Sequence, residues 1–486
     1  MHTKLKMDWL PGIVIFLGSF SLFACSGDEE ADVLSDTDSS AATDGESAST
    51  ELTDNERVNT FVAGYMEAVY LWNAEIEIPS EIPDTDPNDF FDSLVYEGDS
   101  FSWLEDQGSS TTTKADADDY LPSQYTESFG YSLYFGSFSG SSYYFGVVAF
   151  TYKGSPAEAA GLERGDCIVK VNGEWITDDN YLELLTGTSV TVNIGKLDKE
   201  TNTIYYDDET VELTAESMYL DPVVCDTVLV RDGHTVGYLA YAEYDYYSSD
   251  RLDEVCEDFL TAGITDLVLD LRFNTGGYTT TMTHLCSLLA PKEVVANNSL
   301  LLSNEYNADY TAYIQRQGLE EEMNDYFDSS VTANLDLDRV YILTNYLTAS
   351  ASEGTIIGLD PYMEVVKIGE TTYGKCYGGS DLYPSMYDED WSDLDNWVMY
   401  CIMSKFANAN GYTDFTDGID PDVAVEFEIE TVPLGDEEDT CLSVALEEIT
   451  GTSSSLRSGA PTCLFKVDKR LVSPQRRPRL VRSFKE

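Results

Sequence analysis

Thr344-Asn-Tyr-Leu-Thr-Ala-Ser-Ala-Ser-Glu353, followed by Gly369-Glu-Thr-Thr-Tyr-Gly-Lys375, sets a serine turn ahead of a glycine-lysine turn. The apolar run Val340-Tyr-Ile-Leu-Thr344 reads as a strand entering the first turn, and Met363-Glu-Val-Val-Lys-Ile368 as a strand entering the second. Ser350 would then stand just before a helix starting near Ala351, where free backbone N–H groups can hold an oxyanion. A serine hydroxyl is a poor nucleophile near neutral pH and needs a base within hydrogen-bond reach. Lysine can be that base once burial or a cationic neighbour has made it give up its proton. The plainer reading is that Thr348, Ser350 and Ser352 only cap the helix.

The scarcity of other chemistry favours the pair. The chain has three histidines, His2, His234 and His284, none in a recognisable triad context, and neither an HExxH nor a CxxC string, so no metal site is expected. Between Glu321 and Tyr400 the cations are Arg339, Lys367 and Lys375. Lys367, between Val366 and Ile368, reads as one polar side of an alternating strand. Cys376 adjoins Lys375 but has no histidine to activate it.

Outward from these turns the pattern alternates. Thr235–Ala242 and Asp266–Arg272 read as strands with an amphipathic helix, Arg251–Ala262, between them. Asp270-Leu-Arg-Phe-Asn-Thr-Gly276-Gly277 then runs into a helix through Met282 and Leu288, and Asp417-Gly-Ile-Asp-Pro-Asp422 follows the lysine turn. This gives an α/β core over 221–450. Before it, over 127–220, aromatic alternating strands lead to Gly154-Ser-Pro-Ala-Glu-Ala-Ala-Gly161-Leu-Glu-Arg-Gly165-Asp-Cys-Ile-Val-Lys-Val-Asn-Gly173. That string resembles a PDZ domain of the bacterial protease type, which binds the C-terminus of a protein or peptide as an added strand. The resemblance places its carboxylate loop at Phe129, Gly130, Tyr131 and Ser132; a PDZ fold serving only as a spacer is the alternative. Residues 55–126 carry helix-like patterning around Val58–Trp72 and read as a helical cap.

The two ends of the sequence differ in composition from its middle. Residues 1–24 have the charge and apolar run of a signal peptide, and Leu22-Phe-Ala-Cys25 resembles a bacterial lipobox, which makes Cys25 the lipidated first residue of the mature protein. Residues 25–54 are Ser-, Thr- and acid-rich, a solvated tether that would hold the body off an outer membrane, on its periplasmic or outer face. The sequence has 89 acidic against 27 basic residues, which excludes nucleic acid as a partner. Nine of those 27 cations fall in the last thirty residues, and 451–486 is expected to be a disordered basic tail. Eight cysteines besides Cys25 show no disulfide framework.

In this order, lipobox, helical cap, PDZ, DLRxNxGG, SASE, GExxxGK and GIxPD are similar to the carboxyl-terminal processing peptidases, the tail-specific proteases with a Ser/Lys dyad. The resemblance implies a multidomain α+β protein: N-terminal helical cap, PDZ domain built as a small barrel-like sheet with helices, and an α/β core of the ClpP/crotonase-like type. It implies Ser350 as nucleophile rather than Ser352 and Lys375 as general base. Ala351 and either Gly276 or Gly277 would supply oxyanion-hole amides, with Glu353 and Thr372 in support. Asp270 and Arg272 would hold their turn.

It further implies an envelope-anchored serine endopeptidase that recognises protein or peptide substrates by their C-termini and uses no cofactor. An inactive PDZ peptide-binding lipoprotein is the alternative, and an ester or amide hydrolase on the same machinery another; oligomeric state is left open. One departure stands out. Many members carry Gly-Lys-Gly-Thr-Val-Gln, whose glutamine orients the lysine, whereas this sequence has Lys375-Cys-Tyr-Gly-Gly379. Either another group such as Thr372 holds the amine, or the site works less well.

Overall fold

The computed structural model describes residues 52–108, 124–138, 141–199, 201, 203–426, 428–452, 465–467 and 479–481. The expected signal segment, Cys25 and the tether up to residue 51 lie outside them.

Beyond Asp221 the alternating pattern builds a six-stranded sheet in the order Val223–Arg231, His234–Tyr241, Asp266–Asp270, Arg339–Thr344, Glu364–Gly369, Val423–Ala424. The first pair is antiparallel and the rest are parallel. Side chains alternate across it. Leu239, Leu267, Leu269, Val340 and Ile342 join one core with Leu252, Val255 and Phe259 of helix Ser249–Ala262 and Leu285 of helix Thr279–Leu289. Tyr238, Val268, Tyr341 and Leu343 join the other with Leu442, Ala445 and Leu446 of helix Thr440–Thr450. With both faces covered, the central strands Asp266–Asp270 and Arg339–Thr344 carry unbroken apolar runs, Leu267–Leu269 and Val340–Leu343. The DLRFN, serine and lysine segments all leave the C-terminal ends of three adjacent parallel strands, where open α/β sheets form their sites.

A second, seven-stranded sheet stands beside the first. Its main path runs Gly276–Tyr278, Arg479–Val481, Tyr377–Leu382, Trp397–Asn408, Leu300–Tyr306, Asn324–Tyr326, and Trp103–Asp106 pairs with Trp397–Asn408. Helix Asp54–Ala68, started by a Thr53–Glu56 capping box, and helix Pro87–Leu94 pack Phe61, Val62, Met66, Phe90 and Phe91 in one cluster with Met399, Tyr400 and Ile402 of this sheet. The N-terminal region is thus a helical cap that also lends the core a strand.

The PDZ-like region contributes seven strands of an eight-stranded sheet, among them Tyr131–Phe138, Phe145–Thr151, Asp166–Val171 and Ser189–Asp198, with short helices Pro156–Ala159 and Glu183–Thr186. The tail departs from expectation. Two of its segments are strands: Phe465–Val467 pairs antiparallel with Gly136–Phe138, and Arg479–Val481 pairs parallel with Gly276–Tyr278. A segment with no apolar period of its own can still become a strand where existing edges offer backbone partners.

Three buried charges join the PDZ-like region to the core. Arg164 donates to Asp439 at 2.9 Å, and Arg272 donates both to Asp439, at 2.9 Å, and to Asp270, at 2.6 Å. Asp439 also caps helix Thr440–Thr450 through the Leu442 N–H. Burial alone would push the Asp439 carboxyl up, but the Arg272 and Arg164 charges outweigh it and hold the carboxyl well below its usual range. A carboxyl so depressed contributes its full stabilisation above an unfolded value of about 4 and loses it only as pH falls through the folded value. Asp439→Asn leaves the buried Arg164 without a charged partner and Arg272 with Asp270 alone, and a denaturant melt at neutral pH should show a loss of roughly 3 kcal/mol.

Candidate active site

Ser350 occupies the sharp turn between strand Arg339–Thr344 and helix Ala351–Leu359, with φ 60° and ψ −108°. An ordinary N-cap residue has extended backbone and a side chain bonded to the first turn. Ser350 departs from this. Its backbone lies where non-glycine residues rarely go, at a cost of about 1–3 kcal/mol, and its buried Oγ faces the Glu353 N–H as in a capping box but makes no hydrogen bond of ordinary geometry among the described residues. Such a turn pushes a hydroxyl clear of its own helix, as nucleophile elbows do. Its neighbours do not cap the helix either: Thr348 Oγ1 donates to the Leu271 carbonyl and Ser352 Oγ to the Asn274 carbonyl, so both tie the serine turn to the DLRFN segment.

The strained turn is fastened by Glu353, which is fully buried. Its Oε2 accepts the Ser350 N–H at 2.8 Å and the Lys375 N–H at 2.9 Å. Its Oε1 accepts the Gly374 N–H at 2.7 Å and the Thr372 hydroxyl at 2.5 Å. One carboxylate therefore holds the serine and lysine turns together. Burial pushes this carboxyl up, and the four donors, Thr372 foremost, pull the other way. Thr372 Oγ1 in turn accepts the Ile419 N–H, so the GIxPD segment is fastened to the same group.

Lys375 is fully buried. Its Nζ donates to the Tyr400 hydroxyl at 3.1 Å, and lies 4.6 Å from the Tyr400 ring centroid and 5.1 Å from that of Phe101. Trp103 stacks on Tyr400 with 5.9 Å between ring centroids. Thr372, the expected holder of the amine, is instead engaged with Glu353, and the Tyr400 hydroxyl accepts from the amine. The missing glutamine has a steric reason. A Cβ at Gly379 would overlap the Cys401 carbonyl and come within 2.9 Å of Tyr400 Cζ, so backbone first and the tyrosine second exclude a side chain there. The Lys375–Ser350 hydrogen bond is not formed in this state, since Ser350 Oγ has no partner among the described residues.

The glycine strand lies next to the serine turn. Of the two candidate oxyanion donors, Gly276 is committed elsewhere: its N–H donates to Asn274 Oδ1 at 2.9 Å and its carbonyl accepts the Tyr244 N–H. Tyr278 N–H also goes to Tyr244. Successive backbone groups alternate in direction, so those of Gly277 face the opposite edge. Gly277 has φ 141° and a Cβ there would overlap the Tyr244 carbonyl, so only glycine fits. Ala351, buried at the first position of its helix, has its N–H among those without an intrahelical acceptor.

Other candidates fall away. Lys367 Nζ is paired with Asp422 at 2.7 Å. His234 and His284 pair with Asp266 and Asp253 at 2.8 and 2.9 Å. The Cys376 thiol is pushed up by burial, the reverse of an activated nucleophile. Asp270 and Arg272 hold their turn by mutual hydrogen bonds, as expected.

The PDZ loop residues lie in the other domain, away from this constellation. Gly130 turns at φ 76° and its carbonyl accepts from Tyr152 N–H and Ser155 Oγ; the Phe129 carbonyl accepts the Ala157 N–H. Tyr131 reaches the Leu184 carbonyl at 2.8 Å, and Ser132 is buried.

Three residues escaped sequence reasoning. Asn274, fully buried, receives the Ala349 N–H and Ser352 Oγ on its carbonyl while its side chain donates to Tyr241 and accepts from Gly276. It was legible as the asparagine of the DLRxNxGG string. Tyr400 and Phe101 carried no comparable signal.

Comparison with known proteins places the sequence among peptidases. Residues 235–425 match the model of peptidase family S41, residues 57–103 that of the peptidase S41 N-terminal domain, and residues 148–194 that of a PDZ domain. A carboxyl-terminal-processing protease of Picosynechococcus is 27% identical over 62% of this chain and 66% of its own length. The carboxy-terminal processing protease CtpA of Bacillus subtilis is 25% identical over 58% of this chain and 53% of its own. The match therefore spans less than two thirds of either curated relative. Among solved structures, a Bacteroides fragilis protein assigned to the S41 proteases is 27% identical with a TM-score of 0.64, over 81% of this chain and 97% of that one.

Glu353→Gln would turn an amide NH2 toward N–H donors. The substitution should lower the unfolding free energy by about 2 kcal/mol or more, measured by denaturant melts, because buried donors lose their acceptor.

Proposed function

Because the chain belongs to peptidase family S41, we propose that it is a serine endopeptidase acting on protein or peptide substrates presented by their C-termini. The observation that carries this reading is the joint fastening of Ser350 and Lys375 by one buried carboxylate, with Ser350 held in a strained turn and its Oγ uncommitted.

In the mechanism, neutral Lys375 takes the Ser350 proton while Oγ attacks a peptide carbonyl. The amide N–H groups of Gly277 and Ala351 receive the oxyanion. Collapse of the tetrahedral species expels the amine, which takes up the proton, and water then releases the acyl group from Ser350. The Lys375 amine must first move from Tyr400 toward Ser350, a rotation that its four-carbon stem allows. Tyr400 is a positioning residue in this scheme, taking the part of the absent glutamine. The PDZ-like domain would deliver the substrate's C-terminus. Lipidation of Cys25 would hold the enzyme at the outer membrane, on its periplasmic or outer face.

The alternative, a PDZ lipoprotein that binds peptides without cutting them, draws on the unformed Ser350–Lys375 bond. A serine-directed fluorophosphonate probe separates the two, labelling Ser350 in the enzyme and nothing in the binding protein.

Ser350→Ala and Lys375→Ala should each abolish cleavage of a protein with an unfolded C-terminus; retained activity in the folded lysine variant removes the dyad. Tyr400→Phe should keep the fold and lower kcat by about 10- to 100-fold, the equivalent of one hydrogen bond to the ammonium that forms as Lys375 takes the proton. An unchanged kcat would exclude Tyr400 from positioning the base.

A further inference from the structure

The tail strand Arg479–Val481 lies between the two strands that border the candidate site. On one side it pairs in parallel with the glycine strand, Gly276 opposite Arg479, Gly277 opposite Leu480 and Tyr278 opposite Val481. On the other, Val481 stands opposite Gly379, four residues beyond Lys375. The glycine strand and Tyr377–Leu382 have no pairing with each other among the described residues; the tail strand is what joins them. The site thus contains a slot one strand wide. Two strands flanking such a slot stand about 9.6 Å apart, two interstrand spacings. The polar groups of Gly277, the amide that the proposed mechanism needs for the oxyanion, face that slot.

A second tail segment occupies the other edge at which a peptide could be added. Phe465–Val467 pairs antiparallel with Gly136–Phe138, the far end of the strand that begins in the carboxylate loop at Tyr131. Antiparallel addition to this strand is how a PDZ domain takes a peptide. The tail therefore engages both strand-addition edges with backbone of the same molecule. Charge supports the fit. Residues 457–486 hold nine of the 27 basic residues and two of the 89 acidic ones, so the two described strands belong to a cationic stretch of a strongly anionic chain. Two weak attachments on one polypeptide reinforce each other, since the first holds the second at high effective concentration.

We propose that the basic C-terminal tail is a built-in ligand of the peptide cleft, inserted as a strand beside Gly277 and competing there with substrate. The inference rests on the peptidase reading only for what the occupied slot does, and not for its occupation. A cleft filled nine-tenths of the time by the tail would show an apparent kcat/KM lowered about tenfold.

The test uses the purified full-length protein and its Leu480→Pro variant, in which the ring removes an amide and disfavours a strand with partners on both sides. Hydrogen exchange is followed at the segments Gly276–Tyr278 and Tyr377–Leu382, together with hydrolysis of a peptide substrate. Leu480→Pro should exchange at least about tenfold faster at both segments, and not in the six-stranded sheet, because local opening no longer requires displacing the tail. The variant should also gain activity about tenfold, with a synthetic peptide of residues 476–486 inhibiting it competitively.

Unchanged exchange overturns the inference. Faster exchange with unchanged hydrolysis overturns the competition. Faster exchange with neither protein cleaving any peptide leaves the docked tail standing and removes the peptidase reading. Protection in the full-length protein that disappears on dilution would show the tail of a second copy and overturn occupation within one molecule.

Discussion

The Glu353 carboxylate is the constraint on which the site depends. Four donors from the serine and lysine turns converge on its two oxygens, and two of those donors are the backbone amides of the candidate nucleophile and base. Neither turn is stable by itself in the geometry observed. Ser350 has a backbone conformation that costs energy, and Lys375 buries its amine against Phe101 and Tyr400. Burying a carboxylate is itself unfavourable unless its oxygens are satisfied, which is why the two turns and Glu353 require each other. The parallel sheet supplies the starting positions, because strands Arg339–Thr344 and Glu364–Gly369 are neighbours in register and deliver both turns at the same edge.

Much of this was legible in the sequence, for physical reasons that also mark the limit. Apolar runs such as Asp266-Leu-Val-Leu-Asp270 announce strands covered on both faces, and the serine and lysine turns follow such runs directly. Short-range chemistry is written in adjacent residues, so Ser350, Ala351 and Glu353 could be read as one unit. Tyr400 could not. It lies on a strand paired across a second sheet, and its approach to Lys375 depends on the register of Tyr377–Leu382 against Trp397–Asn408. Gly276 and Gly277 were indistinguishable as letters; only the direction of each amide separates them, and Asn274 and Tyr244 set that direction. The tail misled in the opposite way. Its composition lacks the periodicity of an independent strand, and a strand formed by joining existing edges needs none.

The arrangement divides labour between the two sheets. The parallel sheet and its helices hold the serine turn, while the second sheet, braced by the N-terminal helices through Phe61, Met66 and Tyr400, forms the wall over the lysine. The N-terminal region is therefore part of the site's construction. The Arg164–Asp439–Arg272 cluster extends the same logic to the PDZ-like domain. Arg272 stands in the turn that leads to Asn274 and the glycine strand, so the domain that would carry substrate is tied by buried charge to the segment that would receive its carbonyl.

Positions 379 and 400 cannot vary independently. With Tyr400 in place, any Cβ at 379 collides with its ring and with the Cys401 carbonyl. The closer obstacle is backbone, so removing the tyrosine does not by itself make room for a side chain at 379, and it leaves the amine without its hydroxyl partner. Exchanging one way of holding the lysine for the other therefore takes a displacement of the Trp397–Asn408 strand as well as two substitutions.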